Sequence, residues 1–223
     1  MTEPVPSVHS REGYARLARE LAGYAHPWRR ELRGPDPELT FDLLLSSLLT
    51  PETRVLEAGC GHGPDARRFG PLAASWTAYD FIPEFLERAR REAPHAHFHE
   101  WNGRGAVPAG LRGPFDLIVS RRGPTSVILR LPELAAPGAH FLSVGPRRHV
   151  PQVPERLAQV GWTVLGEWQV SVRAFAPTWE DWVTRCRFMD EEVRPEEWAT
   201  RATPRGLPYQ EERHIVLAGP GES

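Results

Sequence analysis

The sequence predicts an α/β fold: a seven-stranded, mostly parallel sheet with helices on both faces and an antiparallel last strand. Three observations carry this expectation. From residue 54 onward, short apolar runs alternate with segments of helical period, and such alternation requires crossover connections, which join parallel strands. The first apolar run ends in a cluster of glycines, the mark of a strand-to-helix turn where backbone must come close to a ligand. The C-terminal part then breaks the alternation with two strand-like runs around one helix, which brings the count to seven.

Residues 10–25 read as an amphipathic helix, with Tyr14, Leu17, Leu21 and Tyr24 on one stripe, and "PDPELTFDLLLSSLL" as a second helix with proline at its start. The alternating part follows: "RVLEAG" as strand, "PDARRFGPL" as helix, "SWTAYD" as strand, "PEFLERARREA" as helix, then "AHFHEW" and "PFDLIVS" as strands. "SVILRLPELA" reads as helix, "AHFLSVG" as strand and "PERLAQVG" as helix. "WTVLGEWQVSVRAF" is a long strand, "TWEDWVTRCRFMDEEV" a helix with its aromatic residues on one side, and "ERHIVLAG" the last strand. The proline-rich stretch near 203–208 reads as a surface loop. At 223 residues the chain suits one domain, 1–223. Within it residues 1–49 form a helical cap, 50–146 a ligand-binding core and 147–223 the substrate-side part of the sheet.

A formal charge of -2 gives no global basic field, so neither nucleic acid nor an anionic membrane surface is favoured as partner. Cys60 and Cys186 form neither a paired-thiol motif nor a metal spacing. No segment approaches the roughly 20 apolar residues needed to span a bilayer, and the N-terminus has no apolar signal-peptide core. The expectation is a soluble, cytoplasmic protein without a membrane partner. Oligomeric state is not written in the sequence.

The informative stretch is "RVLEAGCGHGPD". Gly59, Gly61 and Gly63 between a strand and a helix would present backbone N–H groups to a ligand at the carboxyl edge of the sheet. Asp80 ends the next strand, where an acid can accept both hydroxyls of a ribose. The register is GxGxG followed by Pro64, not the GxGxxG of a dinucleotide site. A leading acid at Glu57 also suits a cationic ammonium better than a diphosphate.

On these residues the chain resembles motif I of the class I S-adenosylmethionine-dependent methyltransferases, a Rossmann-like superfamily. The similarity continues through "AYDFIPEFLERAR", "PFDLIVSRRGP" and "LPELAAPGAHFLSVGP", covering about residues 50 to 146. It implies that S-adenosyl-L-methionine is the cofactor. Glu57 would lie near its methionine amino end, Gly59, Gly61 and Gly63 would line it, Asp80 would hold the ribose, and Phe81 or Ile82 would pack on adenine. Trp101, Asn102 and Ser120 complete the implied set. After the third strand "EWNGRGAVPAG" lacks the family's acidic residue before a Leu-Pro pair, leaving Asn102 or Glu100 as the adenine N6 partner.

Ser120, Arg121 and Arg122 fall where the substrate cleft of this family opens, and paired guanidiniums there would grip a carboxylate or phosphate of the acceptor. The bland reading is that they meet neighbouring acids. Trp179, Trp182 and Trp198 could wall a planar pocket, although a helical aromatic stripe is more often core. His95, His97 and His99 alternate on a strand, read as polar positions at a sheet end and not as a metal site. Cys60 packs within the loop. No catalytic residue is named: His9, His26, His149 and His214 qualify by type alone. The expected activity is methyl transfer from S-adenosylmethionine to a small-molecule acceptor. The alternatives are a non-catalytic S-adenosylmethionine or nucleotide-binding module and an RNA methyltransferase.

Overall fold

The computed structural model describes residues 10–20, 26–146 and 152–221. The described residues fall into two compact units, the first within Met1–Pro37 and Ser171–Glu211 and the second within Glu38–Val170 and Glu212–Ser223. The second unit carries the parallel strands β2 (Arg54–Ala58), β3 (Ser75–Asp80), β4 (His97–Glu100), β5 (Phe115–Arg121) and β6 (Ala135–Gly145). Two long strands, β7 (Trp162–Ala176) and β8 (Leu207–Pro220), run through both units, and β1 (Glu31–Leu32) belongs to the first. The order across the sheet is β1-β7-β8-β6-β5-β2-β3-β4, with β8 antiparallel to β6 and β1 antiparallel to β7.

The antiparallel last strand is as expected, but the sheet has eight strands, not seven. The extra one, β1, is two residues long and pairs Glu31 with Phe175 and Leu32 with Ala174. Two residues are too few to show an alternation of period two, so the sequence carries no signal for it.

Successive residues of a strand point to opposite faces, and the second unit has an apolar layer on each. One holds Leu56, Ile118, Phe141 and Val216 with Val127, Leu131 and Leu157. The other holds Val55, Leu117, Leu142 and Ile215 with Phe41, Leu45 and Leu86. The helices of this unit are α2 (Leu39–Leu48), α3 (Pro64–Phe69), α4 (Pro83–Glu92), α5 (Leu131–Leu134) and α6 (Gln152–Gln159). In α4, Pro83 starts the helix, Glu84 lies in the first turn and Arg90 and Arg91 in the last, the arrangement that suits the helix dipole. It buries Phe85, Leu86 and Ala89.

The helix expected over 126–135 is a 3₁₀ segment, Thr125–Arg130, followed by the single turn of α5. Pro132 has no N–H to give to the carbonyl four residues back, so an α-helical ladder cannot run through it.

The first unit contains α1 (Arg11–Glu20), α7 (Trp179–Phe188) and α8 (Pro195–Arg201). Residues 21–25, the rest of the expected first helix, lie outside the described residues. Thr178 caps α7 by accepting the Asp181 N–H at 3.2 Å. That helix stops short of residue 193 because Asp190 turns left-handed at φ 54° and the Glu191 N–H reaches back to the Cys186 carbonyl at 2.8 Å. Trp182, Cys186, Leu207 and Tyr209 form its apolar cluster, with Trp179 and Trp198 against it. The aromatic stripe is core. Among the described residues no helix is long and apolar enough to cross a membrane.

Phe141 is fully buried at the centre of the sheet. Phe141→Ala should remove about 3–5 kcal/mol of stability, read as a lower urea midpoint with an unchanged slope. A loss under about 1 kcal/mol would show that the layer does not carry the fold.

Candidate functional site

The parallel registers, Glu57 against Ala78 and Val119 and Asp80 against Glu100, align the carboxyl ends of β5, β2, β3 and β4. Glu57, the glycine loop, Asp80, Phe81, Ile82, Trp101, Asn102, Ser120, Arg121 and Arg122 therefore gather along one edge.

Gly59, Gly61 and Gly63 are all left-handed, with φ of 72°, 53° and 76°, where a side chain brings strain. At two of them the protein itself fills the space. A Cβ on Gly59 would stand 2.6 Å from Pro124 Cδ, and one on Gly63 would stand 3.0 Å from Ala89 Cβ, at the approach of α3 to α4.

The loop amides point inward, contrary to the expectation that they face a ligand. Those of Gly59 and Cys60 donate to the Tyr79 carbonyl at 2.9 and 3.0 Å, and that of Gly63 donates to the Cys60 carbonyl at 3.0 Å. The Gly61 N–H donates to Asp80 Oδ2 at 2.9 Å. Helix α3 then opens with Pro64, which has no N–H, and with Asp65 in its first turn. The left-handed turn aims the Gly59, Cys60 and Gly61 amides back at β3, a direction that glycine spacing alone does not specify.

Asp80 is 7 % exposed and accepts the Ile82 N–H on its other oxygen at 3.0 Å. Burial raises its pKa, and the amides of Gly61, Ile82 and Phe81 pull against that rise. Glu57 is 3 % exposed and accepts the Trp76 indole N–H at 2.8 Å. Burial, and after it the charge of Asp65, pushes its carboxyl well above the usual range; the Trp76 hydrogen bond and Arg121 oppose this. Burial likewise pushes the Cys60 thiol well up, which suits packing and not nucleophilic attack.

Ile82 is buried and Phe81 half-buried. Trp101 is buried edge-on to Tyr79, ring centroids 4.9 Å apart, and donates its indole N–H to the Arg104 carbonyl at 2.8 Å. Asn102 is exposed, its side-chain oxygen accepting the Arg104 N–H at 2.9 Å. Ser120 is buried.

Arg121 meets acids. Its guanidinium donates to Asp65 at 2.7 Å, to Glu38 at 2.9 Å and to Asp42, and lies over the Phe41 ring at 4.4 Å. Arg122 is left-handed at φ 54° and donates its backbone N–H to the Val144 carbonyl at 2.7 Å. Its Nε stands 3.4 Å from Glu38, which also accepts from Arg213 Nε at 2.8 Å. Burial would raise the Glu38 pKa, but Arg122, Arg213 and Arg121 together hold it far below the usual range. Sequence reasoning missed Glu38, Asp42 and Arg213 because Glu38 and Asp42 lie 83 and 79 residues from Arg121, and Arg213 lies 175 residues from Glu38. Asp65, the acid after the glycines, was the one visible sign.

His95 Nε2 lies 2.9 Å from the Ala66 carbonyl and His214 Nε2 lies 2.7 Å from Glu167. His26 packs on Trp28 in the first unit; His9 and His149 lie outside the described residues. Among the described residues no group of His, Cys, Asp and Glu is arranged to hold a metal ion.

Comparison with known proteins gives these residues a context. Residues 55–136 match a family described as methyltransferase domain. Nodulation protein S of Rhizobium tropici is 29 % identical over 116 residues, 52 % of this chain and 48 % of that protein. The chain thus spans about half the length of this curated relative. A crystal structure of a functionally unknown protein from Deinococcus radiodurans R1 is 70 % identical, with a TM-score of 0.87 over 93 % of this chain and 98 % of that one. A putative methyltransferase from Bacillus halodurans shares the fold at 13 % identity, with a TM-score of 0.62 over 84 % of this chain and 100 % of that one.

Arg121→Met would leave Glu38 and Asp65 buried, and Asp42 half-buried, without their shared cation, a loss of about 3–5 kcal/mol near neutral pH. Glu38 is depressed in the folded state, so its contribution is present above the ordinary carboxylate range and fades as pH falls through the folded value. The gap between variant and wild type should therefore narrow on acidification. Urea unfolding at two pH values measures this, and an equal gap at both would contradict it.

Proposed function

We propose that the chain is a class I methyltransferase that transfers a methyl group from S-adenosylmethionine to a small organic acceptor, a reading supported by the match of residues 55–136 to a methyltransferase domain and by the shared fold. The observation that carries this reading is the pairing of inward-turned loop amides with buried acids. A diphosphate needs outward N–H donors at the start of a helix. Here four loop amides are bonded inside, the helix opens on proline, and the acidic side chains of Glu57, Asp65 and Asp80 are buried around the loop. Such an edge suits a ligand with no phosphate and with positive charge. S-adenosylmethionine meets both conditions and supplies, when bound, a sulfonium methyl open to in-line displacement.

Each residue has a task under this reading. Asp80, anchored by the Gly61 and Ile82 amides, presents a fixed carboxylate to the ribose hydroxyls. Glu57 faces the ammonium end. Ile82 and Phe81 offer apolar surface to adenine, with Trp101 and Asn102 beside it and Ser120 near the methionine half. The protein aligns acceptor and methyl and keeps water away, which for a displacement of this kind supplies most of the catalysis. Arg122, whose strained backbone fixes its direction at the end of β5, is the residue proposed to meet an acidic group on the acceptor. Arg121 is committed to α2 and α3. The near-neutral charge of the chain supports a small acceptor over nucleic acid. The buried free thiols Cys60 and Cys186 fit a reducing compartment such as the cytoplasm.

Calorimetry should show binding of S-adenosylhomocysteine and none of NAD. Asp80→Asn should weaken the former at least tenfold, because each hydrogen bond to a charged acceptor contributes about 1.5–3 kcal/mol. Tight NAD binding without S-adenosylhomocysteine binding would overturn the assignment. For the acceptor, cofactor turnover is measured against small acids, phenols and structured RNA. Turnover on acids that falls in Arg122→Ala is expected; turnover on RNA alone would refute the acceptor class.

A further inference from the structure

Glu57 sits in a poor place for a charge. It lies near the end of β2, on the same face as Val55 of the apolar layer, and is almost fully buried. The charged and titratable groups facing it are Asp65 from α3, Asp80 from β3, Arg121 from β5 and the Cys60 thiol of the loop. Arg121 is the one cation in this set, and its guanidinium is already bonded to Asp65, Glu38 and Asp42. The Trp76 indole supplies one hydrogen bond to one Glu57 oxygen. Two neighbouring acids, loss of water and a cation engaged elsewhere all favour the uncharged form of a carboxyl group.

We propose that Glu57 is an uncharged carboxyl in the ligand-free protein and releases its proton to solvent when the ammonium group of the cofactor arrives beside it. This rests on the reading of the site as one for S-adenosylmethionine. The arriving –NH3+ is a cation not already bonded to other acids, and in a dry site its attraction for a carboxylate is several times that in water. No bond to carbon or sulfur changes: the proton leaves for bulk water and the ammonium keeps all three of its own. Glu57 thereby distinguishes ligands that carry the amino end from ligands that do not.

Two consequences have definite signs. Below the raised Glu57 pKa, each binding event must expel one proton, so affinity rises up to tenfold per pH unit and levels off once the group is ionised in the free protein. A carboxyl whose folded pKa is raised above its unfolded value lowers stability as pH climbs from the unfolded value towards the folded one, and the deficit persists above it. Glu57→Gln, which keeps a carbonyl oxygen for the Trp76 indole, should therefore melt higher than wild type at neutral pH and bind cofactor less well.

The test is calorimetry from pH 5 to 8 in buffers of different ionisation enthalpy, which counts protons released. The probes are S-adenosylhomocysteine and 5′-methylthioadenosine, which keeps the ribose and adenine but lacks the amino-acid half. With wild type, S-adenosylhomocysteine should release close to one proton at the acid end of the range and fewer at higher pH, while 5′-methylthioadenosine releases none. With Glu57→Gln neither should release any. Binding of S-adenosylhomocysteine without proton release, or equal release with both probes, overturns this inference and leaves the cofactor assignment standing. Failure of wild type to bind S-adenosylhomocysteine at all overturns both.

Discussion

Arg121 is the interaction on which the site depends. Carboxylates from three places in the chain, just before α2, within α2 and at the start of α3, converge on one half-buried guanidinium at the end of the central strand β5. Removing water from these groups opposes folding, and their mutual attraction offsets this only because the geometry is multidentate and low in mobile partners. Arg213 and Arg122 add to it by sharing Glu38. The result is a charge-balanced lock that sets α2 and α3 on one face of the sheet and so determines where the glycine loop lies.

That lock also decides the electrostatics next door. The fold engages Arg121, the guanidinium that acts on Glu57, with Asp65, Glu38 and Asp42. Asp80 is held by backbone amides and Glu57 by an indole. A site built this way presents acids and not free amides, although the glycine-rich turn that frames it is the same device that other folds use to cradle phosphates. The difference lies in the direction of a few N–H bonds and in one proline.

The neighbours of this chain show how far a fold carries an argument. A relative with 70 % identity has no known function, and a neighbour called a putative methyltransferase has 13 % identity. Residues 55–136 match a methyltransferase domain, and chemistry has to be argued from the side chains at the edge of the sheet.

The sequence by itself determined the parallel core, because hydrophobic period and turn residues are local: β3 lies where "SWTAYD" predicts it, and α2, α3, α4 and β2 within a few residues of their predicted ends. It also determined the gathering of Glu57, the three glycines and Asp80, since parallel strands with helical crossovers bring successive strand ends to one edge. Tertiary structure alone decided the rest. It added β1, whose pairing needs a partner strand more than 140 residues on, Glu31 facing Phe175. It turned the loop amides towards the Tyr79 carbonyl, and it gave Arg121 to Asp65, Glu38 and Asp42 in place of an open cleft. These outcomes are contacts between residues far apart in the chain, and no local period or spacing encodes which distant acid a guanidinium will meet.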